Sequence, residues 1–217
     1  MIIRQRCEYQ GDQFEKQIIP FRQFFQWVYC PRRSPMSSEG SEMIRTSVDD
    51  LLKSENGSFV PAILSAAHQV HYTGCDYSPE MVGQALSRNQ AAVERGQALF
   101  LVGEAGSLPF PEGRFDKVLT VNTIYFWEQP EAVLAGLYRV LKPSGTLLIG
   151  LRPKASMQHY PFVSYGFRLY DASEVTALLS AAGFRVLITE EEQEPDQEID
   201  GQPVRVDGLV VVAQKPG

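Results

Sequence analysis

The stretch Tyr72–Met81, YTGCDYSPEM, decides the fold. It reads as the end of a strand, then an aspartate, then the start of a helix. Ser78 suits the N-cap, Pro79 the first helical turn and Glu80 the positive end of the helix dipole. Met81, Val82, Ala85, Leu86 and Val93 then recur close to helical spacing. Asp76 therefore stands at the carboxyl end of a strand.

Outward from this seam, strands and helices alternate. QVHYTGC (69–75) is the first strand, and ALFLVG (98–103) and FDKVLTVN (115–122) are the next two apolar runs. Pro130 opens a helix with Val133, Leu134, Leu137, Val140 and Leu141 on one stripe. KPSG (142–145) ends it, and TLLIGL (146–151) is a fourth strand. Asp171 and Glu174 have capping-box spacing ahead of Val175, Leu178, Leu179 and Ala182, and Gly183 is the stop. FRVLIT (184–189) and GLVVVAQ (208–214) are the last strands. The middle strands are continuously apolar, as strands covered on both faces are. The class is α/β, with a mainly parallel sheet between helix layers.

The chain, 217 residues long, reads as a single domain, 1–217. Residues 1–54 are expected to form an N-terminal helical cap. FRQFFQWVY (21–29) sets Phe21, Phe24, Phe25 and Val28 on one helical face, and EMIRTSVDDLLK (42–53) reads as a second helix. The acidic EEEQEPDQEIDG (190–201) reads as a solvated connection between the last two strands.

Net charge is −6, from 26 acidic and 20 basic residues, which argues against a nucleic-acid binder. Three cysteines, Cys7, Cys30 and Cys75, match no zinc or CxxC pattern, so a reducing, cytoplasmic setting is expected and no metal site. No run of about 18 apolar residues occurs, so no membrane span is expected. The N-terminus lacks the apolar run of a signal peptide.

In open α/β sheets, ligands sit outside the carboxyl ends of the strands. Asp76 is placed to accept from both hydroxyls of a ribose, or simply to satisfy loop amides at the next helix. Tyr77 and Met81 would offer flat and polarisable surface to a base. Glu104 follows the second strand, where a carboxylate can accept from an adenine amino group. Asn122 ends the third. Polar residues at three successive strand ends are hard to explain by packing alone.

YTGCDYSPEMV, GEAGSLPFPEGRFDKVLTVNTIYFWEQP, RVLKPSGTLLIG and GFRLYDASEVTALLSAAGF together resemble class I S-adenosylmethionine-dependent methyltransferases. The nearest flavour is the small-molecule group that includes the ubiquinone/menaquinone-biosynthesis C-methyltransferases. The resemblance covers roughly residues 57–215 and implies a Rossmann-like fold. It implies that Asp76 binds the ribose hydroxyls, Glu104 and Ala105 the adenine edge, and Asn122 the methionyl region. At the position of Glu104 the family usually has Asp.

The family also has a strand and a glycine-rich loop before the acidic strand end. Here SVDDLLKSENGSFVPAILSAA (47–67) leaves no room for that strand between Leu52 and Glu55. Asn56 and Gly57 are what remains of the loop. The central strand is therefore expected to be absent or replaced, and MIIRQRCEY (1–9) is the one spare strand-like segment. Cofactor affinity is expected to be weaker than in relatives with the full loop.

The implied reaction is methyl transfer to a small, apolar or aromatic acceptor. The cofactor carries the activated group, so the protein supplies positioning and excludes water, and no fixed catalytic triad is expected. Tyr125 and Trp127 are candidate walls of the transfer chamber. His159 is the one candidate base in ASMQHYPFVSYGFRLY (155–170), against a reading as an ordinary surface residue. A rival reading is a non-catalytic methyltransferase-fold binding or regulatory protein with a degraded loop. A nicotinamide dehydrogenase is disfavoured, since no GxGxxG follows any strand.

Overall fold

A computed structural model describes residues 2–3, 25–29, 43–47, 57, 60–65, 70–160, 163–164, 166–193, 197–199 and 202–217. The strands are β1 (Ile2–Ile3), β2 (Phe25–Tyr29), β3 (Met43–Ser47), β4 (Tyr72–Asp76), β5 (Ala98–Val102), β6 (Phe115–Val121), β7 (Leu141–Leu151), β8 (Arg185–Gln193), β9 (Gln197–Ile199), β10 (Gln202–Val204) and β11 (Asp207–Gln214). The α-helices are α1 (Val60–Ser65), α2 (Pro79–Arg88), α3 (Gln90–Glu94), α4 (Pro130–Val140), α5 (Lys154–Met157) and α6 (Ala172–Ala181).

One seven-stranded sheet runs β5-β4-β1-β6-β7-β11-β8. The first five strands are parallel, and β11 is antiparallel to both β7 and β8. The slot of the missing strand is filled by β1. Ile2 pairs with Gly74 on one side and Leu119 on the other, and Ile3 with Cys75 and Thr120. The expected gap is thus a replacement, made by the start of the chain.

Helices cover both faces, which is why the central strands are continuously apolar. On one face Val60, Val82, Ala85 and Ala92 pack with Tyr72, Ala98 and Phe100. On the other, Leu134 and Leu137 of α4 and Val175 and Leu179 of α6 bury Val118, Leu147, Ile149 and Val211. The helix starts follow their local signals. Ser78 Oγ accepts from the Met81 N–H at 3.3 Å, and Asp171 and Glu174 form a reciprocal capping box at 2.9 Å each way.

The N-terminal reading needs correction where it can be compared. Residues 25–29 and 43–47 are not helical; β2 and β3 pair antiparallel from Phe25↔Ser47 to Tyr29↔Met43. FQWVY is dense in aromatic and β-branched residues, and Ile44 and Thr46 are β-branched, which suits a pleated ribbon better than a helix. Ile2–Ile3 are strand β1, and the rest of the proposed cap, and Asn56, lie outside the described residues. At the other end, Glu190–Gln193 are not connection but the end of β8, paired with β11 and exposed, and β9 and β10 form a hairpin beyond.

Candidate functional site

Four parallel strands end at one edge of the sheet, β5 and β4 at Val102 and Asp76 and, beyond β1, β6 and β7 at Val121 and Leu151. Asp76 is in register with Val102, and its carbonyl accepts from the Gly103 N–H at 2.9 Å. The next residue, Glu104, follows the neighbouring strand end and is exposed. Gly103 leaves room for its neighbour: a Cβ there would stand 2.8 Å from the Cys75 sulfur, which would have to shift. The loop that follows is tied down by Arg139 of α4, which donates to the carbonyls of Phe110 (2.6 Å) and Leu108 (3.0 Å).

Asp76 is half-buried, and its Oδ1 accepts from the Ser78 N–H at 2.8 Å. This aims the carboxylate while the helix start holds Tyr77 and Met81, both half-buried, close by. The local field of Asp76 is legible in its neighbours. Burial first, and then the Asp76 carboxylate, pushes the Cys75 thiol up to about 11. The same two causes raise the Tyr72 phenol.

Asn122 turns the chain at the end of β6 with a positive φ of 53°, a conformation asparagine tolerates better than most residues. Its N–H donates to the Gly150 carbonyl at 2.8 Å. The Tyr125 hydroxyl lies 3.3 Å from Asn122 Oδ1 and 3.1 Å from the Arg152 carbonyl, and it accepts the Arg152 N–H. Tyr125 is thus a buried strut between two strand ends.

Several expected residues stand elsewhere. Ala105 is fully buried, with its carbonyl against Gly136 of α4, so its side chain belongs to the core. Trp127 is fully buried in the same core, and Tyr125 is nearly so. Neither ring stands at an open chamber. The 3₁₀ turn Ile124–Phe126 directs Ile124 and Tyr125 inward and leaves Phe126 half-exposed, edge-to-face with Phe167 at 4.7 Å. His159 is exposed in the turn after α5.

Gly57 keeps a loop-like φ of +73°, but it is not beside Asp76. Its carbonyl accepts from Asn89 Nδ2 at 3.0 Å, at the carboxyl end of α2, whereas Asp76 adjoins the amino end. A Cβ at Gly57 would lie 2.7 Å from Asn89 Nδ2 and 3.2 Å from the Ala85 Cβ. A cavity of about 360 Å³ between α1 and α3, lined by Leu64, Arg88, Arg95 and Gln97, lies at that remote end too.

Sequence reasoning missed Arg152. It is the first residue past β7 and is buried, with Nη1 donating to the Tyr160 hydroxyl and its Cζ 5.3 Å from the Tyr160 ring centre. The available signal was a charged residue directly after the continuously apolar TLLIGL. Among the described residues no cluster of three or more His, Cys, Asp or Glu could hold a metal ion, and no helix is long and apolar enough to cross a membrane.

Two acidic groups at adjoining carboxyl strand ends, and an amide at the strand end beyond β1, fit the polar parts of a nucleoside-bearing cofactor. An aimed carboxylate suits ribose hydroxyls, and an exposed one beside it suits an exocyclic amine. Gly57 does not supply the cradle expected beneath the rest of such a molecule. Residues 55–149 match the family model for a methyltransferase domain. That match covers under half of the chain, and over it the chain is similar to methyltransferase domains.

Its sequence relatives include proteins named as methyltransferases. A ubiquinone/menaquinone-biosynthesis C-methyltransferase of Marinomonas is 32% identical over 119 residues, 54% of this chain and 47% of that one. An O-methyltransferase of Aspergillus nomiae is 24% identical over 174 residues, 72% of this chain and 77% of that one. A demethylmenaquinone methyltransferase of Thermus thermophilus is 32% identical over 98 residues, 45% of this chain and 44% of that one. The chain thus spans under half the length of two of these relatives. Among solved structures, a chain of the Haloferax volcanii complex between a methyltransferase activator and a putative methyltransferase superposes with a TM-score of 0.63. It is 22% identical, and the match covers 76% of this chain and 79% of that one. A putative methyltransferase from Bacillus halodurans superposes with a TM-score of 0.60 at 16% identity, over 76% of this chain and 90% of that one.

Proposed function

We propose that this chain transfers a methyl group from S-adenosylmethionine to a small-molecule acceptor. The observation that carries the reading is Asp76 and Glu104 at adjoining carboxyl strand ends, with Asn122 at the end of β6 on the far side of β1 and Asp76 held by the Ser78 amide. Asp76 would hold the ribose hydroxyls and Glu104 the adenine amine, with Tyr77 and Met81 against the base. Asn122 would meet the methionyl end. When bound, the cofactor supplies an activated methyl group on a sulfonium.

The residues beyond Asn122 shape the acceptor side. Tyr125 fixes the β6 and β7 ends relative to one another, and Phe126 and Phe167 offer half-exposed aromatic surface. Positioning of this kind, with water excluded, is most of what an in-line displacement at carbon needs from a protein. A base is needed only for an acceptor that must lose a proton, and exposed His159 is the candidate.

Calorimetric titration with S-adenosylmethionine, followed by transfer of labelled methyl to a panel of small phenols, acids and quinols, tests this. Binding with transfer supports it. A cooperatively folded chain that binds no cofactor would favour a non-catalytic role for the fold.

A further inference from the structure

The cavity of about 360 Å³ between α1 and α3 lies at the opposite end of α2 from Asp76. Arg88 is in the last turn of that helix, whereas Asp76 adjoins its start. The volume falls in the range of about 300–1,000 Å³ that small-ligand pockets occupy. Pro61, Leu64, Ala91 and Ala92 give it apolar lining, and Arg88 and Arg95 line it as exposed residues. No carboxylate is part of the lining, although the chain as a whole carries a net charge of −6.

The lining is held in place. Asn89, 5% exposed, donates from Nδ2 to the carbonyls of Gly57 at 3.0 Å and Ala85 at 2.9 Å. Arg95 Nε donates to Gln97 Oε1 at 2.8 Å, which steadies the guanidinium through one N–H and leaves its terminal nitrogens to face a ligand. The adjacent carboxylate, Glu94, accepts from Gln90 Nε2 at 2.8 Å instead. Among the described residues, no carboxylate pairs with Arg88 or Arg95. A guanidinium keeps its charge at any ordinary pH. Two of them beside apolar surface, with no carboxylate in the lining, favour an anion that carries an apolar body. A phosphate monoester offers three oxygens to these donors, where a carboxylate offers two. We propose that this cavity binds a small organic phosphate monoester, its apolar body against Leu64 and Ala92 and its phosphoryl group received by Arg88 and Arg95. The inference is independent of the methyl-transfer reading, in which none of these residues takes part.

Calorimetric titration of the full chain with phenyl phosphate, phenol and inorganic phosphate tests this. Phenyl phosphate should bind saturably, about 10-fold or more tighter than phenol, which lacks the charge, and than inorganic phosphate, which lacks the ring. Its affinity should fall as salt is raised. Arg88→Gln and Arg95→Gln should each weaken it about 3- to 10-fold, and the double variant should bind it no better than phenol. Ala91→Glu keeps both arginines and adds a carboxylate to the exposed part of the lining. It should weaken phenyl phosphate about as much as the double variant does, and it serves if the double variant does not fold. No saturable binding of phenyl phosphate would overturn the proposal. So would phenol or inorganic phosphate binding as tightly, or an unchanged affinity in the double variant or in Ala91→Glu.

Discussion

The ammonium of Lys215 donates to the carbonyl of Leu141 at 2.9 Å, closing the carboxyl end of α4 from the far end of the chain. It also donates to the Tyr138 carbonyl at 3.0 Å and stands 4.7 Å from the Tyr138 ring centre. These are carbonyls that a helix end leaves without intrahelical partners, at the negative end of its dipole. Lys215 is 8% exposed, so the charge is held in place rather than waving in solvent. Lys215→Met keeps most of the aliphatic volume and removes the donors. It should lower unfolding stability by about 1–3 kcal/mol, as a urea midpoint would show. An unchanged midpoint would mean that water serves those carbonyls equally well.

Asp76→Asn separates the two roles open to Asp76. The amide oxygen can still accept from the Ser78 N–H, so α2 should start normally and the thermal midpoint should move little. The lost charge should weaken S-adenosylmethionine binding by about 10- to 100-fold. Equal affinity in the variant and the native chain would leave Asp76 as a helix-start residue only.

Gly57 lies at the wrong end of α2 to cradle a cofactor. Affinity for S-adenosylmethionine should therefore be weak, with a dissociation constant well above micromolar in calorimetry. A micromolar value would show that another segment does the work of the loop.

Cys75 gives a pH dependence with a definite sign. Its folded-state value is raised from 9.0 to about 11, so its contribution to stability is complete below about pH 9 and is lost as pH rises towards 11. Tyr72 is raised too and acts in the same direction at higher pH. Urea midpoints at pH 8 and pH 10.5 should fall more for the native chain than for Cys75→Ala, by about 1–2 kcal/mol. Parallel falls would assign the alkaline loss to other groups.

Ile3→Pro tests the replacement strand. Proline removes an N–H from a strand flanked on both sides and should cost about 3 kcal/mol or more in unfolding free energy. Native-like stability would show that the β4–β6 slot does not depend on this ladder.

Much of the sheet was legible because its signals are local. ALFLV, FDKVLTV and GLVVVAQ are apolar runs bounded by turns, and Ser78 and Asp171 cap the helices their spacing announces. Asp76 and Asn122 were legible because a strand end is itself a local feature. What failed depends on tertiary placement. Two residues carry no period, so Ile2–Ile3 could only be a spare candidate. The aromatic spacing of 21–29 fits a helical face, yet residues 25–29 pair as a strand. Tyr125 and Trp127 looked like chamber walls until the 3₁₀ turn sent them inward. Where Gly57 lands is fixed by Asn89, which is 32 residues further along the chain.

The position of β1 also sets an order of assembly. β4 and β5 with α2 and α3 form one sequence-local half, and β6, β7, β8 and β11 with α4 and α6 form the other. Among the described residues, the ladder that joins the halves comes from Ile2 and Ile3, which pair with Gly74 and Leu119 far along the sequence. The entropy of bringing such distant parts of the sequence together is met only once both halves exist to receive the strand. The seam down the middle of this sheet should therefore be the last part to zip, and its opening the first step of unfolding.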